Sequence, residues 1–409
     1  MRRAAVAIRA GFLLAIIVAI GWNLRFAVAD LSARRNQPDA TRLAMRLMPG
    51  NGAYPTQLAD EVYASDPASA KRLLEAAVKL NRYDAASWIQ LGLLDEAGND
   101  LPRAENALMQ AATVDATFLP SWSLANFYFR HENPVRFWYW AQKAAQMAPD
   151  DATALFRLAW YISPDAAAIE NQLQIKRPVI QSQFVNFLFT QGDPRAVAEA
   201  ASYLLPVNSK ESTNTLLEAC DWLMEHQHSD LALPLWNGVA ARFSYPPLAD
   251  SADIVTNGSF SKSPLSHGFD WRLMTIEGVS SYLDVHPNAL GFEFSGEEPD
   301  SFLLLKQTVP MKAQRNYVLA VDYESSGIAP GSGLEWQVID PRTGAVLART
   351  ASLSAEQGGS ASARFAAPEG ADFVSLALFY HRQPGTVRVE GKLALKKVRL
   401  SATTGGECQ

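Results

Sequence analysis

The sequence predicts a multidomain protein: an N-terminal transmembrane helix, an all-α solenoid of helical repeats, and an all-β sandwich after it. Three observations carry this. Trp88 and Trp122 stand 34 residues apart, and Phe156 continues the spacing, which is the period of a helix–turn–helix solenoid unit. Beyond Ser244-Tyr245-Pro246-Pro247 the apolar residues stop recurring at helical spacing and begin to alternate, the mark of half-buried strands. Residues 4–29 form an apolar run with arginines at its edges.

In that run the uncharged core, Ala10–Leu24, is shorter than the ~20 residues needed to cross hydrocarbon. Arg9 and Arg25 flank it, and long basic side chains reach back to headgroups. Trp22 suits a membrane interface. Two readings of residues 1–29 stand, an uncleaved transmembrane anchor or a signal peptide cleaved after Ala27-Val28-Ala29. The anchor is preferred because Arg25 separates the apolar run from that site. Arg2, Arg3 and Arg9 argue for an inside N-terminus, while Arg25, Arg34 and Arg35 oppose it. An export-type N-terminus places the soluble part outside. Residues 30–52 read as a polar linker ending in the turn signal Pro49-Gly50-Asn51-Gly52.

The solenoid is predicted over residues 53–245. In one unit Trp88, Leu91 and Gly92 share a stripe on the first helix, and Ala104, Ala107, Leu108 and Ala111 share one on the second. Leu91, Ala125 and Ala159 repeat at the same interval, as do Ala77, Ala111 and Ala145. One pair cannot bury its own stripe, so pairs stack. These positions resemble the tetratricopeptide repeat. Two departures stand out in the unit from Leu119, Asn126 at a small position and Trp138 at an alanine position, with Gln142 at an apolar position as a third. An upstream unit supplies Ala70, Leu74 and Ala77. After Ser163-Pro164-Asp165 the spacing degrades, yet Val179–Gln191, Pro194–Leu205, Ser212–His226 and Ser229–Phe243 read as helices that continue and cap the stack.

The sandwich is predicted over 250–402. Tyr317–Tyr323, Leu334–Ile339, Phe373–Phe379 and Val387–Leu400 alternate, with turn residues between them. Ile254–Phe260, then Gly268-Phe-Asp-Trp271, Gln307-Thr-Val-Pro310 and Gly391–Leu400 resemble the galactose-binding-like jelly rolls, which include many carbohydrate-binding modules. That resemblance implies a fold, and sugar binding only for some of its members.

Net charge is −6, which gives no nucleic-acid footprint. No phosphate loop, nucleophile elbow or metal motif is present. His226 and His228 are two apart, off a shared helical face. Cys220 and Cys408 do not make a disulfide framework. The protein is therefore expected not to be an enzyme and to need no cofactor or metal. The first helices of the repeats should line a concave surface. There Leu93, Glu96, Phe127, Arg130, Arg157 and Tyr161 are the candidate groove for a peptide bearing an acidic or C-terminal carboxylate. Trp88, Trp122, Trp160 and Trp336 are assigned to core. In the sandwich, Asp270, Trp271, Tyr282 and His381 are candidate glycan contacts. The expected function is a non-enzymatic scaffold of the bacterial cell envelope. It would be single-pass in the inner membrane with its domains on the periplasmic side, holding a protein partner on the solenoid. The alternative is a carbohydrate-binding protein of polysaccharide synthesis or export.

Overall fold

The computed structural model describes residues 2–149, 151–248, 254–285, 288–354 and 359–403, with side chains from residue 11 except at Val285. Cys408 and the expected start of the sandwich at residue 250 lie outside the described residues. Two compact units form, Met1–Ile180 and Gln181–Gln409.

The first unit is all helical: α1 Arg2–Ala33, α2 Pro38–Leu47, α3 Ala53–Val62, α4 Pro67–Leu80, α5 Ala85–Ala97, α6 Leu101–Val114, α7 Phe118–Arg130, α8 Pro134–Gln146, α9 Thr153–Ile162 and α10 Ala166–Leu173. The second helix of each repeat starts at a matching signal. Asp66, Asp100 and Asn133 each accept a hydrogen bond from the backbone N–H three residues on, with a proline at the first or second helical position. The cap satisfies an orphan donor, and proline wastes none.

Those caps correct the register expected from sequence. Asp66 and Asp100 are 34 apart, but Asn133 follows Asp100 after 33. The first helices agree, since Ala85–Ala97 corresponds to Phe118–Arg130. The three departures therefore disappear. Leu124 and Ala125, both fully buried, stand where Leu91 and Gly92 stand one unit earlier. Phe137, Ala141 and Ala144, not Trp138, Gln142 and Ala145, correspond to Ala104, Leu108 and Ala111, and all three are fully buried. Gly92 lies hard against its partner helix, where an added Cβ would fall 2.7 Å from Leu108 Cγ. One unit later both positions are alanine, so the methyl added on one helix is offset by the shorter residue opposite. Trp88, Trp122 and Trp160, expected in the core, are only half-buried. Trp122 stacks on Phe118 at 6.0 Å.

In the second unit, α11 Pro178–Gln191, α12 Pro194–Ser202, α13 Lys210–Glu225 and α14 Ser229–Ala240 precede the strands. These are β1 Arg272–Leu273, β2 Val279–Val285, β3 Asn288–Ser295, β4 Ser301–Pro310, β5 Asn316–Ser326, β6 Leu334–Ile339, β7 Val346–Arg349, β8 Gly359–Ala366, β9 Phe373–His381 and β10 Glu390–Ala402. They form two five-stranded antiparallel sheets, β1-β4-β9-β6-β7 and β2-β3-β10-β5-β8. Alternation buries Leu319 and Val321 from one sheet against Trp336 and Leu376 from the other. The helices do not stop at the proline pair as a separate core. Trp236 of α14 is fully buried, with its ring 6.2 Å from Phe269. It lies over Gly268, whose φ of +53° and lack of a Cβ both serve that approach, since a Cβ would sit 2.4 Å from the indole.

If the caps set the register, Phe137→Ala is expected to cost about 3–5 kcal/mol and Trp122→Ala about 1–2 kcal/mol, as fully and half-buried aromatics do. Denaturant unfolding of the two variants side by side checks this. A larger loss at Trp122 would show the 34-residue ladder to be the true one.

Candidate functional site

The sequence-predicted groove divides once its side chains are placed. Glu96, at the C-terminal end of α5, accepts two hydrogen bonds from Arg130 of α7, at 2.8 and 2.7 Å, while His131 Nε2 stands 2.9 Å from the same carboxylate. The Glu96 side chain is 12% exposed and that of Arg130 43%. Burial opposes ionisation of Glu96, but the hydrogen bonds and charges of Arg130 and His131 more than offset it, and its carboxyl is held below the ordinary value. Arg130 is therefore committed to a bidentate pair, which corrects its expected role as a free carboxylate receptor. Phe127 is also reassigned. It is 4% exposed and sits under His131 with the rings 4.6 Å apart, so it is packing and not groove surface. Tyr161 does not meet it. Its ring contacts Phe129 edge-on at 5.5 Å and remains 80% exposed. Arg157, four residues before Tyr161 on α9, is exposed, and its charge helps hold the Asp151 carboxyl below the ordinary value, after the hydrogen bonds from Thr153. Leu93 is exposed on α5. What survives as accessible surface is Leu93, Arg157 and Tyr161.

Sequence reasoning missed two clusters. Tyr128 donates to Glu105 at 2.6 Å and accepts from Arg136 at 2.8 Å, tying α7 to the α6–α8 ends. In the second unit Asp221 of α13 accepts from the Gly268 N–H at 2.7 Å and also meets His267 and Arg272. For the Glu96–Arg130 pair a usable signal existed, since opposite charges stand at the ends of successive first helices, 34 residues apart. For Asp221 none existed, because its partners come from another element some fifty positions on.

The glycan candidates also separate. Trp271 is fully buried between Phe260 and Trp336, each 5.6 Å from its ring, and its indole N–H donates to the Asn257 carbonyl. Asp270 is fully buried as well. It accepts from Leu265 N–H and Trp271 N–H, both at 2.8 Å, and from the Tyr245 hydroxyl at 3.1 Å. These two are structural, because the loop that carries them folds inward to close the sandwich. His381 is exposed at the end of β9, where its backbone pairs with Gly333. Tyr282 is 44% exposed on the edge strand β2, with its ring laid across Gly291 of β3. Cys220 is buried, and burial pushes its thiol up, away from the reactive thiolate. Among the described residues no group of three or more His, Cys, Asp or Glu side chains could hold a metal.

Comparison with known proteins follows the two parts. No family model and no curated protein matches the chain. Among solved structures it is similar to one described as "CBM4 structure and function", at 12% identity over 36% of this chain and 99% of that one, TM-score 0.30. It is similar to YrrB, described as a tetratricopeptide repeat protein with an unusual peptide-binding site, at 11% identity over 50% and 92% of the two chains, TM-score 0.27. Pseudomonas aeruginosa pilF gives 14% identity over 55% and 94%, TM-score 0.30. The coordinates themselves establish the architecture: an apolar N-terminal helix, tetratricopeptide-like helical repeats, and a two-sheet β-sandwich.

Burial raises the Asp270 carboxyl to about 6, against the pull of its three hydrogen-bond donors and Lys262. The folded protein thus holds a proton that the unfolded chain has released, so this group adds stability as pH falls from about 7 towards 5. The pH-dependent stability of the wild type minus that of Asp270→Asn should show this rise, setting in near 6 and continuing towards the unfolded carboxyl value of about 4. A flat difference between those limits would mean that the carboxylate stays ionised in its loop.

Proposed function

We propose that this protein is a non-enzymatic scaffold of the cell envelope, anchored by α1, whose repeats hold a protein partner. The observation that carries the docking reading is Tyr161, a ring 80% exposed yet braced on Phe129, with the exposed Arg157 one turn before it. A large aromatic held rigid in water, beside a cation, is the composition of an interface anchor. With Arg130 neutralised by Glu96, Arg157 is the group left to meet a carboxylate on an extended peptide. The anchor reading rests on Gly11–Ala33, 23 residues long, of which residues 11–28 are exposed. Its side chains from Phe12 to Phe26 present apolar surface that water does not favour. Under this reading the soluble parts lie on the periplasmic side of the inner membrane.

A second reading, a polysaccharide ligand on the sandwich, is favoured by Tyr282. Its ring lies flat over a glycine, which leaves the other face open for a sugar to stack on.

Arg157→Glu combined with Tyr161→Ala should abolish co-purification of the partner from membranes, with helical content and membrane retention unchanged. If the partner stays with that variant but is lost on deleting residues 181–409, the sandwich carries the binding instead. For the second reading, a glycan array is best probed with residues 181–409, because Trp236 and Asp221 belong to the same unit as the sandwich. Glycan signal that survives Tyr282→Ala would remove Tyr282 from that site.

A further inference from the structure

One stripe of α1 changes character along its length. Ala29 and Ala33 are buried against α2 and α3, in a cluster with Ala44 and Tyr54. Their size lets α1 and α2 approach closely. The Gln57 side chain then donates to the Ala33 carbonyl at 2.6 Å, satisfying an orphan acceptor at the end of α1. One and two turns earlier the same stripe carries Phe26, Arg25 and Trp22. There α2 has ended, at Leu47, and the chain turns away through Pro49 and Gly50. The stripe loses its partner, and a cleft of about 680 Å³ opens.

The lining of that cleft is chemically one-sided. Trp22, Phe26, Leu47 and Met48 form its apolar wall. Its polar groups are Arg25, Asn51 and Asn81, and among the described residues no carboxylate lines it. Arg25 is exposed and forms no ion pair among the described residues. Both asparagine oxygens are already used: Asn51 Oδ1 accepts from the Ala53 N–H, and Asn81 Oδ1 from the Tyr83 N–H, each at 3.1 Å. Each carboxamide therefore turns an NH₂ donor to its surroundings. A guanidinium and two amide donors beside an apolar wall complement an amphiphile with an anionic head. The position agrees, because Trp22 and Arg25 stand on the last exposed turns of α1, just before Ala29 and Ala33 pack on α2, where headgroups would meet it.

We propose that this cleft binds the headgroup and upper acyl chains of an anionic phospholipid, which fixes the first repeat against the membrane surface. The site rests on the anchor reading above.

The test uses the full chain, purified in a zwitterionic detergent and freed of lipid, then titrated with phosphatidylglycerol or phosphatidylcholine of the same acyl chains and read by native mass spectrometry. Wild type should prefer phosphatidylglycerol. Arg25→Gln should weaken that lipid roughly tenfold, as loss of a charge-assisted contact does. Asn81→Asp is the second variant. It keeps an oxygen for the Tyr83 N–H and replaces the donor with a negative charge, so it should lose the preference without unfolding. Carbonate extraction of membranes is run in parallel. Protein that stays in the membrane but binds both lipids equally, or binds phosphatidylglycerol undiminished in both variants, overturns the lipid site and leaves the anchor standing. A soluble species beginning at Asp30 overturns both.

Discussion

Close approach of helices is the constraint on which the first unit depends. Gly92 leaves no room for a Cβ beside Leu108, and Ala104, Ala111, Ala125, Ala141 and Ala144 are fully buried at corresponding crossings. Each helix of a pair presents a stripe of small residues, so the backbones lie close and the larger side chains are pushed to the seams between pairs. The same device recurs at Ala29 and Ala33, where α1 joins the repeats. The apolar N-terminal helix is thus continuous with the packed structure rather than tethered to it by a flexible linker. Residues 30–52, read from sequence as a polar connection, contribute the end of α1 and the whole of α2.

In the second unit the helices serve a different end. Asp221 gathers the Gly268 N–H, His267 and Arg272, and Trp236 covers Gly268 and Phe269. An acidic side chain from α13 and an indole from α14 therefore hold the loop that leads into β1. That same loop carries Asp270 and Trp271 to the interior. Residues that look like sugar ligands, an aspartate beside a tryptophan, are in fact the closure of the sandwich. The tryptophan completes an aromatic stack with Phe260 and Trp336, and the aspartate is solvated by backbone donors in place of water.

The candidate peptide surface shows why exposure is harder to read than periodicity. Phe127, Arg130 and Tyr161 all fall near the same face by helical spacing. Phe127 is covered by His131, a residue at the helix end with no role in the repeat. Arg130 is claimed by Glu96 from the neighbouring helix. Leu93, Tyr161 and Arg157 stay accessible, Arg157 with the Asp151 carboxylate near enough to feel its charge.

The sequence by itself determined the sequence of element types. Helical spacing of small and large residues specifies stacked pairs, alternation specifies paired strands, and proline with an aspartate or asparagine marks each second helix, all of them local properties written over a few turns. It also fixed the apolar length of α1. What only the tertiary structure decided was register and partnership. A one-residue deletion between units shifts every later position, and it shows in the caps at Asp100 and Asn133 rather than in the conspicuous tryptophans. Whether a charge is free or paired, and whether an aromatic is floor or ligand platform, depends on residues 34 to 51 positions away. Desolvation and charge pairing act through space, and a one-dimensional pattern does not contain those distances.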